Sequence, residues 1–149
     1  MRYNGGMIYK LKTWAVAGLL LAVASGCRSP HPNGVSVSWL LKQDADGTLA
    51  PMQSATRDDA WLAKKITLKP MGLMNQSNGL AAMNVVESLA SKPLDLEYRV
   101  DWLNDDGSVL PYDFVLWHAF TLEPESSRFL GKPVPPVAAG YRLSVRRVQ

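Results

Sequence analysis

The sequence predicts a mainly β protein, an antiparallel sandwich of about seven short strands. Three observations carry this. Leu94, Leu96, Tyr98, Val100 and Trp102 alternate with Asp95, Glu97, Arg99 and Asp101, a period of two that belongs to an extended strand with one buried face. Turn-forming clusters of Gly, Pro, Asn and Asp recur at intervals of roughly ten residues. No long amphipathic helical pattern separates the apolar segments. A strand with one apolar face must bury it against a second layer, so its neighbours should pair beside it or pack across from it. With 149 residues the chain suffices for one domain and not comfortably for two.

In chain order, Val35, Val37, Trp39 and Leu41 alternate with Ser36, Ser38 and Leu40, predicting a first strand that ends near Lys42. Asp44-Ala45-Asp46-Gly47 invites a calcium-loop reading. With Gly47 in the glycine position, however, the first and last ligands would be Lys42 and Gln53, so a turn is expected. Between Thr48 and Lys64 the signals are mixed. Asp58 to Ala63 suits one or two helical turns with acidic residues at the amino end, the reading favoured here, or a loop that pins Trp61 into the core.

Ile66 and Leu68 begin a strand that Pro70 interrupts, as at a sheet edge or a bulge. Asn75 to Gly79 is a turn cluster and Leu80 to Leu89 a strand, the pair making a hairpin. Ser88 to Pro93 turns into the Leu94 strand, which closes at Asn104-Asp105-Asp106-Gly107 with Gly107 available for positive φ. Val109 to Tyr112 is a short extended piece, and Val115 to Leu122 is apolar and short enough to be a buried strand. Glu123 to Ser127 is turn-like. The prolines of Lys132 to Pro136 lack donors and exclude a central strand there. Tyr141, Leu143 and Val145, alternating with Arg142, Ser144 and Arg146, form a last strand with a basic outer face.

The amino-terminal segment carries the most specific functional signal. Lys10 and Lys12 precede an uncharged run from Thr13 to Ala24, too short to cross a bilayer, which takes about 20 apolar residues. A basic region, a short apolar run and small residues before a break are the marks of a secretory signal, for which Met1 or Met7 would serve equally as the start. The break, Ala24-Ser25-Gly26-Cys27, resembles the lipobox of bacterial lipoproteins. That resemblance implies a thiol lipidated at Cys27 and a chain cut before it, with residues 1–26 as signal peptide, 27–34 as a lipidated tether and 35–149 as the domain. The alternative is an ordinary cleaved signal with a free thiol. A lone cysteine suits lipidation, because it has no partner for an internal disulfide. Several acyl chains, as the resemblance implies, hold a protein at a membrane durably. Arg28 stands where lipoproteins retained at the inner membrane typically carry Asp. The expected location is therefore the periplasmic face of the outer membrane.

The formal charge is +3, but three of the sixteen basic residues lie before Cys27, leaving thirteen against thirteen acidic ones. A balanced domain lacks the basic surplus that nucleic acid requires, so no nucleic-acid partner is expected. Chemistry is equally sparse. Cys27 is assigned to the anchor, His31 stands in the proline-rich tether without companion ligands, and His118 is the one histidine of the predicted domain. Asp58-Asp59 and Asp105-Asp106 read as solvated turn carboxylates. No glycine-rich phosphate cradle is present, and neither a cofactor, a metal site nor a small-molecule substrate is expected. Trp39, Trp61, Trp102 and Trp117 occupy apolar positions and are expected in the core, with a glycan-stacking platform as the alternative. Arg99 between Glu97 and Asp101 suggests an ion-pair ladder. The Arg142, Arg146 and Arg147 cluster is expected to blunt a sheet edge, or else to meet lipid heads or an acidic partner.

The carboxy-terminal half resembles the YcfL-like family of bacterial envelope lipoproteins, a domain family of unknown function. The residues are Leu96-Glu97-Tyr98-Arg99, Trp102, Asp106-Gly107, Trp117, Leu122-Glu123-Pro124, Val134-Pro135, Ala138 and Tyr141-Arg142-Leu143, spanning roughly Leu80 to Arg146. The resemblance implies an immunoglobulin-like β-sandwich held at the outer membrane and brings no catalytic residues. The expected function is a non-catalytic interaction or accessory module of the cell envelope, with a protein partner in the periplasm. The alternatives are a peptidoglycan or glycan binder using exposed tryptophans, and a degenerate hydrolase built on His118.

Overall fold

The chain forms two antiparallel sheets in a computed structural model that describes residues 34–111 and 116–148. Eight strands lie among the described residues: β1 (Val35–Gln43), β2 (Leu49–Arg57), β3 (Ile66–Gln76), β4 (Gly79–Ser88), β5 (Leu94–Leu103), β6 (His118–Leu122), β7 (Ser127–Pro133) and β8 (Gly140–Arg147). The five-stranded sheet runs β2-β1-β8-β5-β6 and the three-stranded sheet β3-β4-β7. Consecutive pairs thus occupy alternate sheets until β7 and β8, which separate. This is the expected sandwich, sharing immunoglobulin-like architecture with its own strand order.

The alternation in β5 sends Leu94, Leu96 and Val100 into the core, where Leu143 and Val145 of β8 and Val35 and Trp39 of β1 meet Ala82, Val86 and Leu130 from the opposite sheet. The largest fully buried side chain is Tyr141, with the Trp39 ring centroid at 5.3 Å and that of Trp102 at 6.0 Å. Its hydroxyl donates to Asn84 Oδ1 at 2.7 Å, tying β8 to β4 across the interior. Burial raises the phenol pKa far above its ordinary value although the Asn84 contact opposes it. Two buried polar groups thereby satisfy each other.

Both Asp-rich clusters are turns. Gly47 and Gly107 adopt φ of +83° and +81°, and their amides return to the Asp44 and Asn104 carbonyls at 2.9 and 3.0 Å. In each, the carboxylate one residue before the glycine accepts the amide two positions on, Thr48 to Asp46 at 3.0 Å and Ser108 to Asp106 at 2.9 Å. These hydrogen bonds to Thr48 and Ser108 hold Asp46 and Asp106 below the usual carboxylate range.

Two expectations need correction. The mixed segment after Thr48 forms a strand, β2, and the helix contracts to a 3-10 turn at Leu62–Lys64. Pro51 and three register shifts against β1 hide any regular alternation in this edge strand. Pro70 lies, as expected, in an edge strand at a bulge between Pro70 and Gly72, and β3 continues past it to Gln76. The Val115–Leu122 run is no buried strand: β6 begins at His118 on a sheet edge, and Leu116 is 65% exposed. The prolines after Lys132 stay out of any central strand, as expected: pairing with β4 carries β7, an edge, as far as Pro133. Tyr112 and Val115, like Lys10, Lys12, Cys27, His31 and the whole tether before Gly34, lie outside the described residues.

Candidate interaction surfaces

Three surfaces gather the side chains with chemical potential. The outer face of the five-stranded sheet carries the ion-pair ladder. The β5–β8 register sets Glu97 against Arg146, Arg99 against Ser144 and Asp101 against Arg142. Arg146 Nε donates to Glu97 Oε2 at 2.8 Å, and Arg142 Nη2 to Asp101 Oδ2 at 2.9 Å. Arg99 Nη2 reaches the same Oδ2 at 3.0 Å along its own strand. Asp101 is 1% exposed, so two guanidiniums neutralise one buried carboxylate. Trp117 lies against this ladder, its ring centroid 4.0 Å from the Arg146 guanidinium carbon and 5.2 Å from that of Arg99.

This overturns the edge-blunting expectation for the arginines. Strand β8 is central, between β1 and β5, so Arg142 and Arg146 answer β5 carboxylates and do not guard an edge. Arg147 Nε instead meets Asp59 Oδ2 at 2.7 Å. The tryptophans divide as well. Trp39 is core and Trp102 packs partly buried against it, whereas Trp117 sits half-buried among arginines and Trp61 is 47% exposed. Neighbouring Leu62 takes the buried position that Trp61 was expected to fill, and nothing in the local alternation distinguishes the two.

The second surface, which the sequence reading missed, is the outer face of the three-stranded sheet. Register sets Met74, Ala81 and Pro133 in one row, Gly72, Met83 and Gly131 in the next, and Lys69, Val85 and Phe129 in a third. The alternate residues Ala82, Val86 and Leu130 belong to the core cluster, which places these rows on the opposite face. Met71, Met74 and Phe129 are 52%, 51% and 59% exposed, an apolar front with one cross-strand ion pair, Lys69 to Glu87 at 2.7 Å, at its margin. Gly131 makes room here: a Cβ at that position would stand 2.7 Å from Met83 Sδ. The missed signal was Met74, Met83 and Phe129 recurring on the non-core phase of three strands, visible only once strand pairing is known.

The third surface is the end of the sandwich where the described chain enters. The amides of Asp58 and Asp59 donate to the Gly34 carbonyl at 2.9 and 3.1 Å. Asp59 Oδ1 then accepts the Trp61 and Leu62 amides at 3.1 and 2.9 Å and starts the 3-10 turn. Burial opposes ionisation of Asp59, but the Leu62 amide and the Arg147 guanidinium outweigh it and hold the carboxyl below its usual range. A groove of about 240 Å³ between Trp61, Pro93, Leu94, Arg147 and Val148 opens beside this turn. A polar hollow of about 470 Å³ lies under Glu87, Ser91 and Glu125.

His118 stacks on Tyr98 at 5.1 Å, and its Nε2 lies 3.2 Å from Lys132 Nζ, bridging the β6 and β7 edges. Among the described residues the side chain hydrogen-bonded to His118 is Lys132, and no carboxylate is bonded to it. Among the described residues no group of three or more His, Cys, Asp or Glu side chains is arranged to hold a metal ion, and no helix is long and apolar enough to cross a membrane.

Residues 53–147 match the family described as protein of unknown function (DUF1425), more than half of the chain. The chain belongs to this family. The matched segment begins in β2 and runs to the end of β8. Among solved structures, the chain is similar to a DUF1425 family member from Shewanella, with 15% identity over 72% of this chain and 95% of the other and a TM-score of 0.47. It is also similar to the protein Cj0090 of Campylobacter jejuni, with 22% identity over 60% and 93% and a TM-score of 0.46. No curated protein matches the chain.

Proposed function

We propose that this DUF1425 protein is a YcfL-like lipoprotein, anchored through acylated Cys27 at the periplasmic face of the outer membrane, whose sandwich is a non-catalytic interaction module of the envelope. The observation that carries the interaction role is the outer face of β3, β4 and β7, where Met71, Met74 and Phe129 stand exposed together. Exposed apolar patches of this kind are characteristic of docking surfaces, and methionine adapts to varied partners. The anchor is supported by Lys10, Lys12, the short apolar run and the sequence Ala24-Ser25-Gly26-Cys27. A photo-crosslinking amino acid at Met74 or Phe129 is expected to trap one protein reproducibly in living cells, while the same probe at Asp105 traps none. Equal, scattered crosslinking from all three positions would contradict the reading.

A second reading, a glycan-binding lipoprotein, is favoured by the exposure of Trp61, a ring of the kind that stacks on sugars. Retention of the protein on purified sacculi, lost in Trp61→Ala, supports that reading, and absence of retention removes it.

A further inference from the structure

The end of the sandwich that holds Gly34 combines exposed apolar side chains with basic ones. Trp61, Leu89 and Val148 are 47%, 61% and 49% exposed. Leu89 N bonds Lys65 O at 2.7 Å, joining the segment after β4 to the turn that follows Trp61, and Val148 N bonds Asp95 O at 3.2 Å, holding the end of β8 on β5. Arg57, Lys64 and Lys92 are exposed around them, Lys65 is half-buried, and the Arg147 guanidinium lies 5.2 Å from the Trp61 ring centroid. Three of the carboxylates here have side-chain partners: Asp59 holds Arg147, Asp95 accepts from Thr121 at 2.9 Å, and Glu87 pairs with Lys69. Asp58, Glu123 and Glu125 are the remaining ones. The opposite end carries Asp44, Asp46, Asp105 and Asp106 on its turns against Lys42, all exposed.

We propose that the end bearing Trp61, Leu89 and Val148 seats on an anionic phospholipid surface, with its lysines against lipid phosphates and the acidic end directed away. The inference rests on the anchoring reading above and goes beyond it, since an anchor alone leaves the domain free to tumble. Six residues separate Cys27 from Gly34. A fully extended chain covers about 3.3–3.6 Å per residue, so a lipidated Cys27 keeps Gly34 within about 25 Å of the membrane. The Gly34 end is thus the one brought to the lipid. An indole favours the headgroup level, where its apolar body and N–H are both satisfied. Each lysine near an anionic surface adds attraction that salt screens within a Debye length. The polarity of the two ends turns the domain in the same sense.

The test uses the full lipidated protein reconstituted into vesicles of phosphatidylethanolamine with phosphatidylglycerol. Because Cys27 is acylated, a cysteine introduced as Leu89→Cys or Asp105→Cys is the sole free thiol for a nitroxide label. The expected result is a several-fold higher ratio of oxygen to nickel-chelate accessibility at Leu89→Cys than at Asp105→Cys. That difference should vanish in pure phosphatidylcholine and in the Lys64→Glu, Lys65→Glu, Lys92→Glu triple variant. Equal aqueous exposure of both labels, with the protein still recovered on the vesicles, overturns the seating while leaving the anchor intact. Failure to recover the protein on vesicles at all overturns the anchor and the seating with it. Immobilisation of the Leu89→Cys label only after sacculi are added overturns the lipid as occupant. An unchanged melting temperature of the triple variant shows that lost seating is not lost folding.

Discussion

Asp59 shows how one side chain serves several ends. Its Oδ1 starts the 3-10 turn that drives Leu62 into the core, and its Oδ2 holds Arg147 beside Trp61. Replacing it with alanine is expected to cost about 1 kcal/mol at neutral pH, the usual loss for a capping carboxylate, measurable by urea denaturation. Against burial, the Leu62 amide and the Arg147 guanidinium hold the folded carboxyl below its ordinary range, so the ionised form is the one folding favours. Its contribution is fully present above the unfolded value, roughly pH 4, and fades as pH falls through the folded value. The stability difference between wild type and Asp59→Asn should therefore shrink below about pH 4. Tyr141 makes the contrasting case. Tyr141→Phe leaves Asn84 buried without its donor and is expected to cost about 1–3 kcal/mol by the same assay.

Among the elements, β5 was the most legible, because a strand with one wet face advertises itself by strict alternation. The ladder on its outer face was half legible. The sequence showed Glu97, Arg99 and Asp101 as neighbours in phase, yet their main partners, Arg146 and Arg142, come from a strand some 40 residues away that only pairing reveals. Asp101→Ala is expected to cost about 2 kcal/mol, since it strands Arg142 and Arg99 beside a buried position, whereas Arg99→Ala should cost under about 1 kcal/mol. Chemical denaturation of both variants checks the ranking. Edge strands were the least legible. Strands β2, β3 and β7 carry Pro51, Pro70 and Pro133, tolerated where one side of the strand needs no partner, and these prolines mark the edges without giving the length of the strands.

For the whole molecule, fold class followed from the turn spacing and the alternation, because burying one face of each strand leaves few architectures open. The surfaces were far less legible. Trp61 and Leu62 are adjacent and both apolar, and only the Asp59-capped turn decides that the leucine goes inward and the tryptophan outward. The result is a sandwich with an apolar front on one sheet, an ion-paired face on the other, an aromatic end of mixed charge beside Gly34 and an acidic end opposite. That polarity has a use if the chain is held by one end, as lipidation of Cys27 would hold it. Metabolic labelling with a palmitate analogue tests this most directly. Wild type should incorporate the label and fractionate with the outer membrane, and Cys27→Ala should do neither. Label retained by Cys27→Ala, or an unlabelled wild-type protein, would contradict the account.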